Sequence, residues 1–457
     1  MNDPAMPDVI HELYQSRIYP PMSHPSSDPA MSAVVARMAG LDTSPPRSAR
    51  ILEIGCSSGH NLIPLAMRWP QASFTGIDLA ESAITEARER AAASGVSNIG
   101  FLAVDLMDFE PRNGPFDFII AHGFFSWVPD AVKSALLDFL NRNLAPSGIA
   151  TVSFNVECGW KARQPVIAKV RAIQQAGAGD EMSALALLRS VTEPDDPEIA
   201  IIDDMMAKGP AILAFDDFAP LNDPWSLENF VRAADHAGLR WLGESDPAEN
   251  IPAALWEGDL AVLEGLGLGP LEFQMAVDEI LQRTFRSGVL CRDDAPMSAG
   301  VPLDRVLEFS FRAGSEPTEP AAREIHHAIQ SLAPACVPID RIVSLLTDRN
   351  GNGLARGLAR GIRRGWLRPR IEPMFYQSEP PEFPRLDPFR LLCARRGLPV
   401  VDAWHHPCSF PANHYQILSA MDGSLSLAEL GDFSRTHCPE LAFEPWLRHL
   451  AARGFFT

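Results

Sequence analysis

Short apolar runs alternate with amphipathic segments over the first third of the chain. Residues 51–54, apolar except for Glu53, predict a buried strand, and the periodic apolar positions of NLIPLAMRW predict a helix after it. QASFTGIDLA and ESAITEARERAAASG repeat this order, NIGFLAVDLMDF predicts a third strand, and FDFIIAHGFFSWV predicts a fourth before a helix over 130–144. Such alternation is typical of an α/β fold with a doubly wound parallel sheet.

The remaining pattern extends this sheet and adds helices around it. Residues 29–41 place apolar side chains on one helical face, and GIATVSFN predicts a fifth strand at 148–155. Residues 161–220 have a helical, acidic pattern, which we interpret as an insertion before the last strands, expected to be antiparallel. GLRWLGE and SGVLCR predict strands six and seven, with a helix over 272–283 between them, so the core would span residues 46–292.

Two smaller segments after residue 292 resemble each other. IDRIVSLL with LARGIRRGWLRPRI, and LSLAELGDF with WLRHLAARGFF, each predict a helix, an amphipathic helix ending in Arg-Gly and an aromatic-rich strand. We therefore expect winged-helix-like modules at 293–375 and 376–457, separated at the proline-rich PEFPRLDPF. A dense basic cluster lies in the first module, and in an acidic chain it favours packing or partner docking over DNA binding. Its members are Arg360, Arg363, Arg364, Arg368 and Arg370.

The composition narrows the classes of function. The chain has 457 residues, 46% of them hydrophobic, and a formal net charge of −19. This charge argues against nucleic acid or an anionic membrane as the main partner, because either would require a basic face. The N-terminus lacks a basic, apolar leader pattern and no transmembrane-length apolar run occurs, so we expect a cytoplasmic protein without membrane insertion. The seven scattered cysteines contain no C-x-x-C pair, which indicates neither a disulfide framework nor a metal site.

A turn of small residues follows the first predicted strand. Gly55 and Gly59 permit positive φ and close approach of a ligand, whereas Ser57 stands where a G-x-G-x-x-G pattern would have its second glycine. Asp78 ends the second strand about twenty residues later, where a carboxylate accepts the hydroxyl groups of a ribose. Asp105 ends the third strand. Because ligands of such sheets bind beyond the carboxyl ends of the strands, these residues predict one nucleotide-like ligand.

The pattern Glu53-x-Gly55-x-x-x-Gly59, followed by Asp78 and Asp105, resembles the class I methyltransferases that use S-adenosylmethionine. The resemblance implies a seven-stranded Rossmann-like methyltransferase sheet, S-adenosyl-L-methionine as cofactor, S-adenosyl-L-homocysteine as product and no metal. It also implies that the two glycines pass the methionine part, that Asp78 holds the ribose and that Asp105 binds the adenine amino group. The expected cofactor-binding residues are Glu53, Gly55, Cys56, Ser57, Gly59, Asn61, Asp78, Leu79, Asp105, Leu106, His122 and Gly123.

Aromatic and polar residues after the fourth and fifth strands are expected to line a substrate pocket in the same crevice. The aromatics lie in a loop bounded by Gly and Pro, without a periodicity that would bury them, although a place in the core stays open as the alternative. The arm formed by residues 1–45 can fold over the cofactor cleft, which makes its Tyr14 a further candidate. The expected substrate-binding residues are Tyr19, His24, Phe124, Phe125, Trp127, Asn155 and Trp160, of which Phe124, Trp127, Asn155 and Trp160 would position the reacting groups.

Longer motifs indicate a narrower resemblance. LEIGCSSGHNLIP, IIAHGFFSWVP, SFNVECGW and FRSGVLCR, with Ser23-His24-Pro25 in the arm, are similar to bacterial methyltransferases that carry a methyltransferase regulatory domain. Among these are the rickettsial-type lysine methyltransferases of outer-membrane proteins. The resemblance implies direct in-line transfer of methyl to lysine amines of a protein, and it suggests a homodimer. Burial among the aromatics would lower the pKa of the amine, so that no dedicated base is required.

Two other classes of function stay open. The same core could methylate a small metabolite or a natural-product peptide, and a deep closed pocket would favour that alternative. The chain could also be a non-catalytic scaffold that binds the cofactor and docks partners through its winged-helix-like modules. Glu53, Asp78 and Asp105 argue against the scaffold, because a fold without catalytic use has no physical need for carboxylates at all three strand ends.

Overall fold

The computed structural model describes residues 19–250, 257–301, 303–346 and 351–456. The amphipathic segment expected at 9–14, with its candidate Tyr14, lies outside these residues. Among the described residues, no helix has the length and apolar character of a bilayer span.

A seven-stranded sheet forms the centre of the molecule. Its strands are Arg50–Ile54 (β1), Ser73–Asp78 (β2), Ile99–Ala103 (β3), Phe116–Ala121 (β4), Leu144–Asn155 (β5), Leu239–Glu244 (β6) and Phe285–Arg292 (β7). Their order is β3-β2-β1-β4-β5-β7-β6. The first five strands are parallel, and β7 pairs antiparallel with both β5 and β6. The predicted doubly wound, seven-stranded sheet is therefore confirmed. The expectation that both last strands are antiparallel is corrected: only β7 runs against the others, because β6 pairs antiparallel with β7 and so runs in the direction of β1 to β5.

Helices cover both faces of this sheet. Apolar residues of the first three helices pack on one face, and those of the fourth pack on the other, since each helix presents an apolar stripe to the strands. These helices are Pro29–Ala39 (α1), Leu62–Arg68 (α2), Glu81–Ala93 (α3) and Asp130–Asn143 (α4). Gly40, at φ +102°, ends α1 in the left-handed conformation that favours glycine.

The acidic segment between β5 and β6 is helical, as expected. It contains Glu157–Gln175 (α5), Glu181–Val191 (α6), Glu198–Lys208 (α7) and Pro210–Phe215 (α8), which enclose a hydrophobic cluster of their own. The described residues around β6 and β7 also form the helices Leu227–His236 (α9), Glu257–Gly265 (α10) and Pro270–Leu281 (α11). The helical insertion thus stands beside the carboxyl end of β5 and can reach a ligand held there.

The middle module combines three short strands with three helices. They are Ser310–Ala313 (β8), Pro320–Gln330 (α12), Val337–Pro338 (β9), Ile339–Val343 (α13), Gly351–Arg363 (α14) and Leu367–Arg370 (β10). The sheet order is β10-β8-β9, with both pairings antiparallel. The expected order of helix, helix and strand occurs in α13, α14 and β10. The central strand, however, is β8, which precedes the helices and was not predicted.

The C-terminal module is mainly helical. It contains Pro388–Arg396 (α15), Val400–Val401 (β11), Pro407–Cys408 (β12), Ala412–Ser419 (α16), Leu427–His437 (α17) and Phe443–Ala452 (α18). The strand predicted after the last helix is wrong, because residues 454–456 form none. Phe455 and Phe456 are instead fully buried in the hydrophobic cluster that this module shares with the core.

The basic cluster of the middle module forms ion pairs within the chain. Arg368 pairs with Asp246, Arg370 contacts Asp28 at 2.8 Å, and Arg363 contacts Glu264 at 3.0 Å. Arginines that are neutralised in this way join the module to the core, in agreement with the packing role expected for them. The domain boundaries at 45, 292 and 375 stay predictions, since the hydrophobic clusters cross them.

Candidate active site

A cavity of about 640 Å³ lies at the carboxyl ends of β1, β2, β4 and β5. A volume of this size suits a ligand as large as a nucleotide. The cavity brings together most of the residues singled out in the sequence: Tyr19, His24, Glu53, Gly55, Cys56, Ser57, Asn61, Asp78, Leu79, Asp105, Leu106, His122, Gly123, Phe124, Trp127, Asn155 and Trp160. Gly59 and Phe125 lie outside its lining.

The turn after β1 is held against β2 by backbone hydrogen bonds. Gly55 and Cys56 donate their amide protons to the carbonyl oxygen of Ile77 at 2.9 and 3.0 Å. Gly55 has a φ of +74°, and a Cβ there would lie 3.0 Å from the ring of Phe124. Ser57, at φ +44°, adopts the left-handed conformation that favours glycine, so the serine takes up the backbone conformation that a glycine would have here.

Gly59 serves packing rather than contact with the cavity. Its φ is +72°, and a Cβ at this position would lie 2.7 Å from Phe101 and 3.1 Å from Ala87. Gly59 thus lets α3 and β3 approach the turn closely, and its contact with the cofactor stays a prediction. Of the two glycines, Gly55 belongs to the lining of the cavity.

The carboxylates at the ends of β2 and β3 are anchored by backbone amides. Asp78 accepts from the amide of Ser57 at 2.8 Å and from that of Ala80 at 2.9 Å, one on each oxygen. Burial raises its pKa above the ordinary value. Asp105 accepts from the amide of Met107 at 2.9 Å. Each oxygen keeps a second lone pair, so both side chains can still accept hydrogen bonds from a ligand in the cavity.

Glu53 places a buried carboxyl group at the floor of the cavity. Its Oε1 accepts from Nδ2 of Asn61 at 2.6 Å, whereas its Oε2 is buried and finds no hydrogen-bond partner among the described residues. Burial raises the pKa of Glu53 to about 8. An unsatisfied buried oxygen is costly, and a cationic ligand group in the cavity would satisfy it.

Two histidines stack on each other in the lining of the cavity. The rings of His24 and His122 lie 3.9 Å apart at 19°. Burial lowers the pKa of His24 to about 4 and that of His122 well below its ordinary value, so both rings are neutral near pH 7. In the described part of the chain, no group donates to the buried Nδ1 of His122 or accepts from it. The neutral ring of His122 therefore lines the cavity with no hydrogen bond at this nitrogen among the described residues.

The aromatic turn after β4 divides its side chains between the cavity and the core. Trp127 faces Trp160 of α5 at 6.5 Å and 85°, and both line the cavity. Phe125 points the other way: it is fully buried and packs on Trp225 at 5.0 Å and Phe230 at 5.4 Å. The expectation that Phe125 contacts substrate is therefore corrected, because the 3₁₀ turn Phe125–Trp127 rotates its first residue into the core.

The insertion adds a charged wall that the sequence analysis missed. Arg163, Asp204, Lys208, Phe215 and Asp216 all line the cavity. Arg163 and Lys208 both contact the fully buried Asp217, at 2.9 and 2.7 Å, and burial raises the pKa of Asp216 to about 6. One feature of the sequence could have indicated this wall: the two adjacent carboxylates of Asp216 and Asp217 interrupt an apolar helical pattern beside Phe215.

Two hydrogen bonds fix the side chains of Asn155 and Trp160 in the lining of the cavity. Nδ2 of Asn155 donates to Oδ1 of Asn222 at 2.8 Å, and Nε1 of Trp160 donates to the carbonyl of Thr284 at 3.0 Å. Both side chains therefore hold fixed positions in the lining. Across the described ranges, no group of three or more His, Cys, Asp or Glu side chains is arranged to hold a metal ion.

A family model described as a methyltransferase domain matches residues 51–148. The chain contains a class I methyltransferase domain. A second model, described as a predicted methyltransferase regulatory domain, matches residues 209–292. The first match covers β1 to β4 and the start of β5, which supply most of the cavity, and the second covers the segment from α8 to β7.

The methyltransferase domain has relatives of two kinds. An uncharacterized protein of Rickettsia prowazekii, RP789, is 26% identical over 338 residues, which cover 70% of this chain and 60% of that protein. RP028 of the same organism is 31% identical over 153 residues, 34% of this chain and 61% of that protein. The matches thus span about 60% of the length of these relatives. Trans-aconitate 2-methyltransferase of an Azoarcus species is 30% identical over 105 residues, 23% of this chain and 38% of the enzyme.

The fold of the whole chain is similar to that of PKMT2 from Rickettsia typhi, solved in complex with AdoHcy. The TM-score is 0.78 over 93% of this chain and 92% of that one, at 19% sequence identity. The likeness therefore includes both C-terminal modules and shows the fold. The methyltransferase domain takes S-adenosylmethionine as its cofactor, and the residues present fit that molecule: Glu53 offers an oxygen to its ammonium group, while Asp78 and Asp105 offer acceptors to ribose and adenine.

Proposed function

We propose that the protein transfers methyl groups from S-adenosylmethionine to lysine side-chain amines of a protein substrate. This proposal depends on the lining of one cavity. The turn around Gly55 and Asp78 faces an aromatic wall, formed by Trp127 and Trp160, and the carboxyl group of Asp216. When bound, the cofactor supplies a methyl group made electrophilic by its sulfonium charge. The residues of the chain must then align the acceptor nitrogen, exclude water and favour the neutral amine.

The aromatic wall excludes water and favours the neutral form of the acceptor amine. Trp127 and Trp160 stand edge to face at 6.5 Å, and burial between such rings lowers the pKa of a lysine amine toward neutrality. Their faces also attract the methylated ammonium as its charge forms. The ring of His122, neutral near pH 7, also lines the cavity. Because burial favours the neutral amine, no dedicated base is required.

The charged wall favours a cationic acceptor over an anionic one. The positive charges of Arg163 and Lys208 are balanced by two carboxylates, since both side chains pair with Asp217 and Arg163 also pairs with Asp204. Asp216 lies 3.8 Å from Lys208, and burial raises its pKa to about 6, so it is mainly ionised at neutral pH. A lysine ammonium entering the cavity would therefore meet a net negative surface before it loses its proton.

A small carboxylate is the second candidate acceptor. The similarity of the core to trans-aconitate 2-methyltransferases supports it, and so does the presence of Arg163 and Lys208 in the lining. The ion pairs of both cations weigh against it, because a carboxylate ligand would have to displace Asp217, which is completely buried. We therefore rank the amine first.

Methyl transfer to host material tests the proposal. The full chain is incubated with lysate of its native host and S-adenosylmethionine carrying an isotopically labelled methyl group, and protein and metabolite fractions are examined by mass spectrometry. We expect the label on lysine side chains of protein. Asp78→Ala should abolish transfer and cofactor binding, whereas Asp108→Ala, on the exposed side of the same edge, should change neither.

Each other outcome selects an alternative. Label confined to small molecules would replace the protein acceptor by a metabolite. Cofactor binding without any transfer would support the non-catalytic scaffold. The homodimer suggested by the sequence stays a prediction, to be measured by light scattering of the purified chain.

A further inference from the structure

Asn61 is the point at which three distant parts of the chain meet. It directly precedes α2 beside the cofactor turn, is buried, and makes no capping hydrogen bond with its side chain. Its Oδ1 accepts from the amide of His24 in the arm at 2.9 Å and lies 2.8 Å from Nε2 of His405 in the C-terminal module. Its Nδ2 donates to Oε1 of Glu53 at 2.6 Å and to the hydroxyl of Ser27 at 3.0 Å. The side-chain amide therefore uses both lone pairs and both protons.

The orientation of this amide follows from its neighbours. A backbone N–H can only donate, so the atom that faces His24 must be the oxygen. The nitrogen consequently faces Glu53, whose Oε1 accepts from it. Ser27 is consistent with this arrangement, because its hydroxyl donates to the carbonyl of His24 at 2.7 Å and is free to accept from Nδ2.

The ring of His405 donates a hydrogen bond to Oδ1 of Asn61. Burial, followed by the charge of Arg68, lowers its pKa to about 3, so the ring is neutral. A neutral imidazole that contacts an acceptor through Nε2 must carry its proton there, and its buried Nδ1 has no hydrogen-bond partner among the described residues. The residue has a φ of +68°, an uncommon backbone conformation for histidine that costs free energy.

The loop that carries His405 is docked on the core. Asp402 accepts from the amides of Trp404 and His406, at 2.9 and 2.8 Å, which closes the loop around His405. Arg68 of α2 donates to the carbonyl of Ala403 at 2.8 Å. A strained residue is thus held in place by contacts from both sides, and among the described residues its side chain hydrogen-bonds to Asn61 alone.

We propose that His405 is a positioning residue of the cofactor site, through which the C-terminal module orients Asn61 and, with it, the carboxyl group of Glu53. The proposal rests on the function proposed above, because the group that Glu53 receives is the ammonium of the cofactor's amino-acid end. With Asn61 fixed, Oε1 of Glu53 is occupied, and the buried Oε2, which has no hydrogen-bond partner among the described residues, is the oxygen left for the ammonium group. Without His405, Oδ1 of Asn61 keeps the donor His24 but loses the second one, so the amide that donates to Glu53 is held less firmly.

Two ligands test this role, one with and one without the amino-acid end that carries the ammonium group. S-adenosylhomocysteine carries the amino-acid end, whereas 5′-methylthioadenosine lacks it. For the full-length His405→Ala variant, we expect calorimetry to show about tenfold weaker binding of S-adenosylhomocysteine, the scale of one charge-assisted hydrogen bond. Binding of 5′-methylthioadenosine should stay within about twofold of the wild type, a margin well below one such bond. His405→Gln, which keeps an N–H donor, should recover part of the loss.

The controls separate positioning from general structure. His414→Ala removes a partly buried histidine of the same module that packs on Trp446 at 5.5 Å, and it should leave both affinities unchanged. Equal weakening of both ligands by His405→Ala, or no weakening, would overturn the proposal. So would failure of both His405 variants to fold, since the residue would then serve folding alone. A wild-type protein that binds neither ligand would instead refute the cofactor site itself.

Discussion

Glu53 is the residue whose protonation should report cofactor binding. Its ordinary pKa is 4.5 and burial raises it to about 8, so between these values the folded protein holds a proton that the unfolded chain has lost. The stability contribution of Glu53 is therefore greatest below pH 4.5 and is lost as the pH rises toward 8. A buried carboxyl group with this cost is useful only where a cation arrives to offset it.

We expect binding of S-adenosylhomocysteine to release close to one proton per site at pH 7. The ligand's α-ammonium, with an ordinary pKa of about 8, stays charged and requires an ionised Glu53. Calorimetry in phosphate and in Tris measures the linked proton, because the ionisation enthalpies of these buffers differ. Glu53→Gln, which keeps the acceptor for Asn61, should abolish the linked release and weaken binding. Equal heats of wild-type binding in the two buffers would contradict the role of Glu53.

Local chemistry explains which site residues could be predicted from the sequence. Glu53, Gly55 and Ser57 follow one another along a single turn, and Asp78 and Asp105 end the next two strands, so a strand pattern is enough to place them together. His405 lies 344 positions from its partner Asn61, and no periodicity connects them. Asp216 belongs to an insertion whose helices pack on themselves, so its place in the cavity depends on tertiary contacts alone.

At the scale of elements, the turn Phe125–Trp127 joins a structural and a functional side chain. Phe125 is fully buried among Phe154, Trp225 and Phe230, whereas Trp127 faces the cavity. The sequence offered both interpretations for these aromatics. It could not separate them, because the direction of each side chain in a 3₁₀ turn is set by the strands and helices around it.

Replacing Trp127 should impair methyl transfer, whereas replacing Phe125 should lower the stability of the fold. We expect Trp127→Ala to slow transfer of labelled methyl to the acceptor fraction at least about tenfold, through loss of alignment, with little change in S-adenosylhomocysteine affinity or thermal midpoint. Phe125→Ala should lower the free energy of unfolding by about 3–5 kcal/mol, the usual cost of a large cavity. Single-turnover transfer and thermal unfolding measure the two effects. Equal losses of transfer and of cofactor binding in Trp127→Ala would make that side chain structural.

The hydrophobic pattern predicts the long elements correctly but fails for short segments. The parallel strands and their helices were predictable because each is long enough to show its own period. The short β8 is the centre of the middle sheet but has only four residues. Residues 454–456 have the composition of a strand, yet Phe455 and Phe456 are buried against α15 and the core without a strand partner in the described chain.

At the scale of the whole molecule, the modules are joined to the core through buried polar contacts as well as apolar ones. Asp28, just before α1, is completely buried between Arg68 of α2, at 2.7 Å, and Arg370 of β10, at 2.8 Å. Burial opposes ionisation of this carboxyl group, but the two guanidinium groups outweigh it and hold the pKa of Asp28 below its ordinary range. One charge thus links arm, core and middle module, next to the loop that carries His405.

Replacing Asp28 by Asn should therefore weaken the whole assembly. Asn keeps the shape of the side chain and can still cap α1, whose Ala30 amide donates to Oδ1 at 2.9 Å. It removes the charge, however, and leaves two arginines buried side by side, which costs about 3–5 kcal/mol of unfolding free energy. Asp42→Asn is the matched control: its carboxyl group is 59% exposed and pairs with Arg37 and Arg305, so its loss should cost at most about 1 kcal/mol. Urea unfolding at pH 7 compares the two, and equal midpoints would show that the Asp28 pairs do not hold the molecule together.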